Sequence, residues 1–337
     1  MSTKIANHIF KMLNPTINLQ IGDFNNFPVI TTEHADIPRI VNDSIKIAKE
    51  DWDSFETSWD FRVHPLINSN SIEDAYKRWK DIINSRFSKL KQNEEELNQI
   101  FIKIYGLERE LTAAIEDEEI TIRRENINED IRSLISYAVG CIFGRYSLDV
   151  EGITFAGDNW DENKYKSYIP DKDNIIPITD EEYFQDDIIE RIVSFIRIIY
   201  GESKLEENLN FIARVLNEKG NSSREVIRTY FVKSFFKDHC KVYQKRPIYW
   251  LFDSGKQNGF KALVYMHRFD ENTIGNLRID YLHRLQRIYE NEIGRMQDAI
   301  ENSDDAREVT AATKRKEKLI KQLQETKEYD EKIAHLA

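Results

Sequence analysis

From Ser71 to Gly106 apolar residues recur at helical spacing without losing phase. Trp79, Ile82, Ile83, Phe87 and Leu90 are followed by Leu97, Ile100, Phe101 and Ile104. Ser71 is placed to cap the first turn, with Glu73 and Asp74 where the helix dipole favours acids, and Gly106 to end the last turn. A helix of this length commits the chain to a mainly α fold. At 337 residues two or three compact units are expected.

Other segments repeat the helical period. Residues 1–13 carry Ile5, Ile9, Phe10, Met12 and Leu13 and stop at Asn14-Pro15; residues 36–50 are built on Ile37, Ile40, Val41, Ile45 and Ile47. Ile131 to Tyr146 predicts a second apolar helix, and further helices are expected at about 185–200, 204–217 and 223–239. Ile17 to Ile21 alternates as a strand closed by Gly22-Asp23, with Phe27 to Ile30 extended after it. Residues 149–180, punctuated by Gly152, Gly157, Pro170 and Pro177, read as a long loop of the kind that tends to be functional. Residues 247–252 and 262–266 read as strands. Residues 274–301 and 305–335, broken near Asn302-Ser303-Asp304-Asp305, predict a long C-terminal antiparallel helical hairpin. The expected fold is therefore mainly α with a small mixed α+β unit at 241–272 and the hairpin at 273–337. Residues 1–35 have no core of their own and read as the tail of a larger domain, so Met1 is expected to be a boundary rather than a natural start.

Composition excludes several classes. Cys141 and Cys240 have no metal-type spacing, which argues against a disulfide framework or zinc site and for a reducing, cytoplasmic setting. No stretch approaches the ~18 apolar residues of a membrane span, and the N-terminus lacks a signal-peptide core. The net charge of −11 opposes nucleic-acid binding at first sight, yet Arg224 to Arg287 holds 13 Lys and Arg against 6 Asp and Glu. That local balance of +7 leaves −18 elsewhere, as one basic surface on an acidic body would.

Catalytic signatures are missing. The chain has no Gly-rich phosphate loop, no paired-histidine zinc pattern, no G-x-S-x-G elbow and no Pro-Pro dipeptide. Asp187 with Glu202-x-Lys204 imitates a nuclease pattern, but in helical sequence rather than on adjacent strands. The run Lys245-Arg246-Pro247-Ile248-Tyr249-Trp250 admits two readings. Its cations can pair with guanine or phosphate and its aromatics can stack on bases. Alternatively, Trp250 is a core residue and Arg246 is satisfied by a carboxylate. His267-Arg268 is open in the same way. Arg224, Arg228 and Lys237 recur near helical spacing, facing either phosphate or solvent. The small residues Ala138-Val139-Gly140-Cys141 with Gly144 are best explained by tight helix packing.

Several runs carry a family resemblance: Leu13 to Asp23 with Phe27-Pro28, Asp51 to Phe61, Ile135 to Asp149, Asp173 to Ile178, and Lys245 to Lys256. In this order they resemble the C-terminal portion of the adenine-specific DNA methyltransferases of BREX phage-defence systems and of related type IIG restriction–modification enzymes. The resemblance covers about residues 5 to 290. It implies a parent enzyme that uses S-adenosylmethionine to methylate the exocyclic amine of adenine in a short DNA sequence, marking host DNA as self.

It further implies that the catalytic core lies upstream, that 1–35 is the remnant of that domain, and that 36–240 is a recognition and clamp region. No family catalytic residue falls on a position here, so the chain alone is expected to bind no cofactor and to be inactive. Its expected partners are double-stranded DNA, the catalytic half (in the same polypeptide or a separate chain) and other defence proteins. The expected DNA contacts are Lys245, Arg246 and Arg268, with Arg224, Arg228 and Lys237 on phosphates. The competing account is a helical protein-interaction subunit of a defence complex.

Overall fold

The computed structural model describes residues 3–16 and 18–336. The chain divides into two compact units. The first comprises Met1–Trp59 and Tyr76–Asn126, the second Asp60–Ala75 and Ile127–Ala337.

The first unit holds helices α1 (Lys4–Leu13), α2 (Ile21–Asn25) and α3 (Asp36–Trp52), with most of α4 (Ile72–Tyr105). Ser71 caps α4 as its sequence requires, its hydroxyl accepting from the Asp74 N–H at 3.1 Å, and Gly106 leaves the helix at φ +66°. One small core gathers Ile5, Ile9 and Ile102, with Phe27, Phe101 and Tyr105 packed against it. The fully buried Asn98 joins α1 to α4 by accepting from the Lys4 N–H at 2.9 Å. A second core collects Phe87, Leu90, Ile115, Ile120 and Ile122. Of the apolar positions on α3, Ile40 is fully buried whereas Val41 and Ile45 are exposed.

The strand expected from Ile17 to Ile21 does not form. Ile17 lies outside the described residues, Asn18 to Gln20 form no regular element, and Ile21 opens α2. Asp23 accepts from the Gln20 N–H and from the Asn14 side chain, both at 2.8 Å. These local bonds close a turn where a strand would need a neighbour to pair with.

The second unit is built around α5 (Ile127–Phe143), buried almost all round between Ile131 and Phe143. It begins four residues earlier than Ile131 and stops at Gly144, φ +78°, so Arg145 and Tyr146 lie beyond it. Helices α6 (Ile188–Tyr200) and α7 (Leu205–Leu216) pack against it. The tight packing read from its small residues is real. A Cβ on Gly140 would sit 2.3 Å from the Tyr146 ring, and one on Gly144 2.5 Å from that of Trp160.

Three strands, β1 (Ile175–Pro177), β2 (Tyr249–Asp253) and β3 (Lys261–Tyr265), form an antiparallel sheet in the order β1-β3-β2. β2 and β3 stand where they were expected. β1 lies inside the segment read as loop. Asn174, at φ +66°, donates to the Tyr265 carbonyl at 3.0 Å and accepts from its N–H at 3.2 Å, so a side chain continues the ladder where the backbone turns away.

The short helix α10 (Thr273–Asn276) and a π-helical segment, Leu277–Leu282, lead into α11 (His283–Asn302) and α12 (Ala306–Ile333). The break between α11 and α12 falls at the expected residues, and Asp305 caps α12 by accepting from the Arg307 N–H at 2.8 Å. The hairpin closes on the sheet: Leu285, Tyr289, Leu319 and Ile333 share one core with Ile175, Phe260, Ala262 and Val264. Among the described residues no helix is long and apolar enough to cross a membrane.

Candidate nucleic-acid interface

The net-basic stretch folds as α8 (Ser223–Tyr230), a π-helical turn (Phe231–Phe235) and α9 (Phe236–Val242), followed by a tight turn into β2. Ser222 starts it, its hydroxyl accepting from the Glu225 N–H at 3.2 Å. Ile227, Phe231, Phe235 and His239 are buried, one every four residues. A π turn winds with more residues per turn than an α-helix and so holds this four-residue repeat in phase.

The opposite positions repeat at the same interval. Lys233, Lys237 and Lys241 are exposed, and the next step is Lys245, exposed beside Arg246. None of these five cations has an ion-pair partner among the described residues. The only acid between them, Asp238, turns instead to Arg132 at 3.1 Å and to the Tyr230 hydroxyl at 2.9 Å. Lys233 and Lys241 were not among the expected contacts. Their signal was available as lysine recurring at i+4, a spacing that puts residues on one helix face.

The turn presenting Lys245 and Arg246 is fixed by its backbone. Gln244 and Lys245 are left-handed (φ +51° and +65°), with the Lys245 N–H donating to the Cys240 carbonyl at 2.7 Å and that of Arg246 to Tyr243 at 2.9 Å. His239 then anchors the start of β2, its Nε2 accepting from the N–H groups of Ile248 and Tyr249 at 3.0 and 3.2 Å. Burial, reinforced by the Arg145 guanidinium, pulls His239 down to about 4. It is therefore neutral near pH 7, with its proton on Nδ1. Strand alternation sends Tyr249 fully inward and Trp250 outward, 41% exposed and 5.4 Å from the Phe269 ring. Trp250 is thus no core residue, and Arg246 has no carboxylate partner among the described residues.

The other expected cations are engaged within the protein. Arg228 forms a bidentate pair with Asp187 at 2.7 and 2.9 Å, and its Nη1 also donates to the Thr179 carbonyl at 3.0 Å. Arg268 donates to the carbonyls of Phe143, Asp171 and Lys172 and lies 4.4 Å from the centre of the Trp160 ring. Arg224 pairs with Glu206 at the surface, at 2.6 and 3.0 Å. A phosphate would have to displace these partners. Lys237, Lys245 and Arg246 carry no such competitor.

The nuclease-like residues do not come together as a metal site. Asp187 caps α6 and pairs with Arg228, Glu202 pairs with Arg197 at 2.6 Å, and Lys204 with Glu207 at 2.7 Å. A tighter acidic group, Asp171, Asp173 and Asp186, keeps its oxygens within 4.8 Å of one another. The Tyr281 hydroxyl hydrogen-bonds Asp173 and Asp186, while Asp171 accepts from the N–H groups of Asp173 and Asn174. Burial and the neighbouring Asp173 push the Asp171 carboxyl up to about 7.

No protein-family model matches the chain. Two relatives align over its whole length. It is 41% identical over 347 residues to the adenine-specific methyltransferase PglX of Lacticaseibacillus casei (strain Zhang), covering 29% of that protein. It is 35% identical over 368 residues to the adenine-specific methyltransferase BrxX of Escherichia coli O9:H4 (strain HS), covering 30% of it. The chain thus spans under a third of the length of these relatives. Over its whole length it is a homologue of the C-terminal part of adenine-specific methyltransferases of the PglX and BrxX type.

Proposed function

We propose that this chain is the DNA-engaging, target-recognising part of an adenine-specific DNA methyltransferase of the phage-defence kind. The observation that carries the reading is the ribbon of Lys233, Lys237, Lys241, Lys245 and Arg246, exposed and without acidic partners on a chain whose net charge is −11. Cations spaced along one helix face and a fixed turn follow a phosphate backbone and set the protein's register on it. The exposed Trp250–Phe269 pair follows that turn in the chain and offers rings on which a base can stack.

The residues present do not fit the methyl donor. There is no Gly-rich turn to receive S-adenosylmethionine and no Pro-Pro motif to hold a flipped adenine. Methyl transfer therefore belongs to the catalytic part of the parent enzyme, in a reducing cytoplasm where the free Cys141 and Cys240 are at home.

The test is binding of a fluorescent DNA duplex at several salt concentrations. The quadruple charge reversal K237E/K241E/K245E/R246E is expected to weaken binding at least tenfold at low salt. It is also expected to flatten the plot of log K against log salt, by about 0.9 for each phosphate that is no longer neutralised. An unchanged slope, or no binding by the unaltered chain, would overturn the reading in favour of a helical protein-interaction subunit.

A further inference from the structure

The first unit leaves a run of apolar side chains exposed at and after the end of α1. Met12, Ile21 and Val29 are 66%, 82% and 79% exposed, and Leu19, Phe24 and Ile30 are 44–45% exposed, all within 19 consecutive positions. Scattered exposed apolar residues are ordinary, but a concentration of this kind marks a surface that another body covers.

This segment is also held in place. The Asn14 side chain donates to the Asn18 carbonyl at 3.1 Å and to Asp23 at 2.8 Å, folding the connection back on the end of α1. Phe24 rests 5.1 Å from the Phe10 ring, and Phe27 inserts beside the Ile5–Ile9–Ile102 core. Further along, the Tyr105 hydroxyl donates to the Pro28 carbonyl at 2.7 Å, fixing the stretch that presents Val29 and Ile30. Apolar side chains on a hydrogen-bonded frame lose little freedom on contact, so they form a pre-organised docking surface.

We infer that the face carrying Met12, Leu19, Ile21, Phe24, Val29 and Ile30 docks on the methyltransferase portion of the enzyme, the inference resting on the function proposed above. The occupant follows from length: the relatives carry roughly 70% of their sequence outside the aligned segment, at 41% and 35% identity within it. That portion is the partner for which a surface of this kind would be retained. A second copy of this chain is the rival occupant.

The test compares the 337-residue chain with a polypeptide in which it replaces the aligned segment of the L. casei relative. Met12 reports on the face through its rate of oxidation by dilute hydrogen peroxide, read by mass spectrometry, with Met296 as internal reference. In the joined polypeptide Met12 oxidation is expected to slow at least tenfold, and I21D/V29D is expected to restore it while leaving the chain's circular dichroism and Tm unchanged. Equal Met12 rates in the two proteins overturn the inference. So does concentration-dependent dimerisation of the chain alone that I21D/V29D abolishes, which assigns the face to a second copy. The cations proposed to meet the duplex, Lys233 to Arg246, belong to the second unit, and none of them lies between Met12 and Ile30. Loss of DNA binding with Met12 protection intact therefore tells against the proposed function alone.

Discussion

Arg228 holds Asp187 through two hydrogen bonds, at 2.7 and 2.9 Å, with the Asp187 side chain wholly shielded from solvent. Burial still raises the Asp187 carboxyl above its usual range, so desolvation outweighs the help it receives from the guanidinium. A pair of this kind adds little net stability but is costly to break, because the survivor is left charged and buried. Arg228→Met is expected to destabilise the protein by about 3–5 kcal/mol in urea unfolding. The double variant D187N/R228M should recover part of that loss, since it removes the stranded charge. A neutral Arg228→Met would show that the pair is not closed in solution.

Gly140 offers a sharper steric prediction. Its missing Cβ lies 2.3 Å from Cδ2 and 2.7 Å from Cε2 of Tyr146, a ring that also stacks on Tyr137. The ring is fully buried and cannot move aside cheaply. Gly140→Ala should therefore cost about 1–3 kcal/mol by overpacking, although alanine is the better helix former. Thermal unfolding would register this as a lowered Tm.

The legible part of the fold was the part written in local repeats and caps. Ser71 and Gly106 close the two ends of α4 through bonds to near neighbours, so sequence spacing alone places them. β1 was hidden because three residues in a Gly- and Pro-punctuated segment become a strand only when Asn174 meets Tyr265, 91 residues away. The π turns were hidden too, since they follow from the register of buried side chains. Candidate cations suffered likewise. Nothing near Arg228 or Arg268 in sequence reveals a carboxylate 41 residues off or a carbonyl 97 residues off, whereas Lys245 and Arg246 stayed exposed.

Opposed titrations should give stability a maximum in pH. His64 and His239 are pulled down to about 3 and 4, chiefly by burial. A depressed histidine keeps its full contribution above the unfolded value near 6.5 and loses it as pH falls below that, because the unfolded chain takes up the proton first. Asp171 is raised, so its contribution is complete below the ordinary carboxylate range near 3.8 and is lost as pH rises through about 7. Chemical denaturation at pH 5, 6.5 and 8 should find the intermediate value most stable. Asp171→Asn should abolish the decline on the alkaline side, and a decline that persists in this variant would place its cause elsewhere.

Glu325 of α12 predicts a local effect at a distance in sequence. Its carboxylate accepts from the Ser254 hydroxyl at 2.8 Å and from the N–H groups of Gln257 and Gly259 at 2.8 and 3.0 Å, closing the β2–β3 turn. Glu325→Ala leaves those donors without their acceptor. It is expected to cost about 1.5–3 kcal/mol, as hydrogen bonds to a charged group do. Amide exchange at Gln257 and Gly259 should accelerate while exchange in α5 keeps its rank order.

That same helix carries a consequence for synthesis. Leu319 and Ile333 complete the core that covers the sheet, and Glu325 closes its turn. A ribosome releases the chain from its N-terminal end, so β1, β2 and β3 all emerge before the residues that shield them. The sheet must wait, half-covered, until α12 has followed it out of the ribosome. Premature termination within α12 would therefore remove the roof of this unit and expose its strands to aggregation and proteolysis, rather than merely trim a tail.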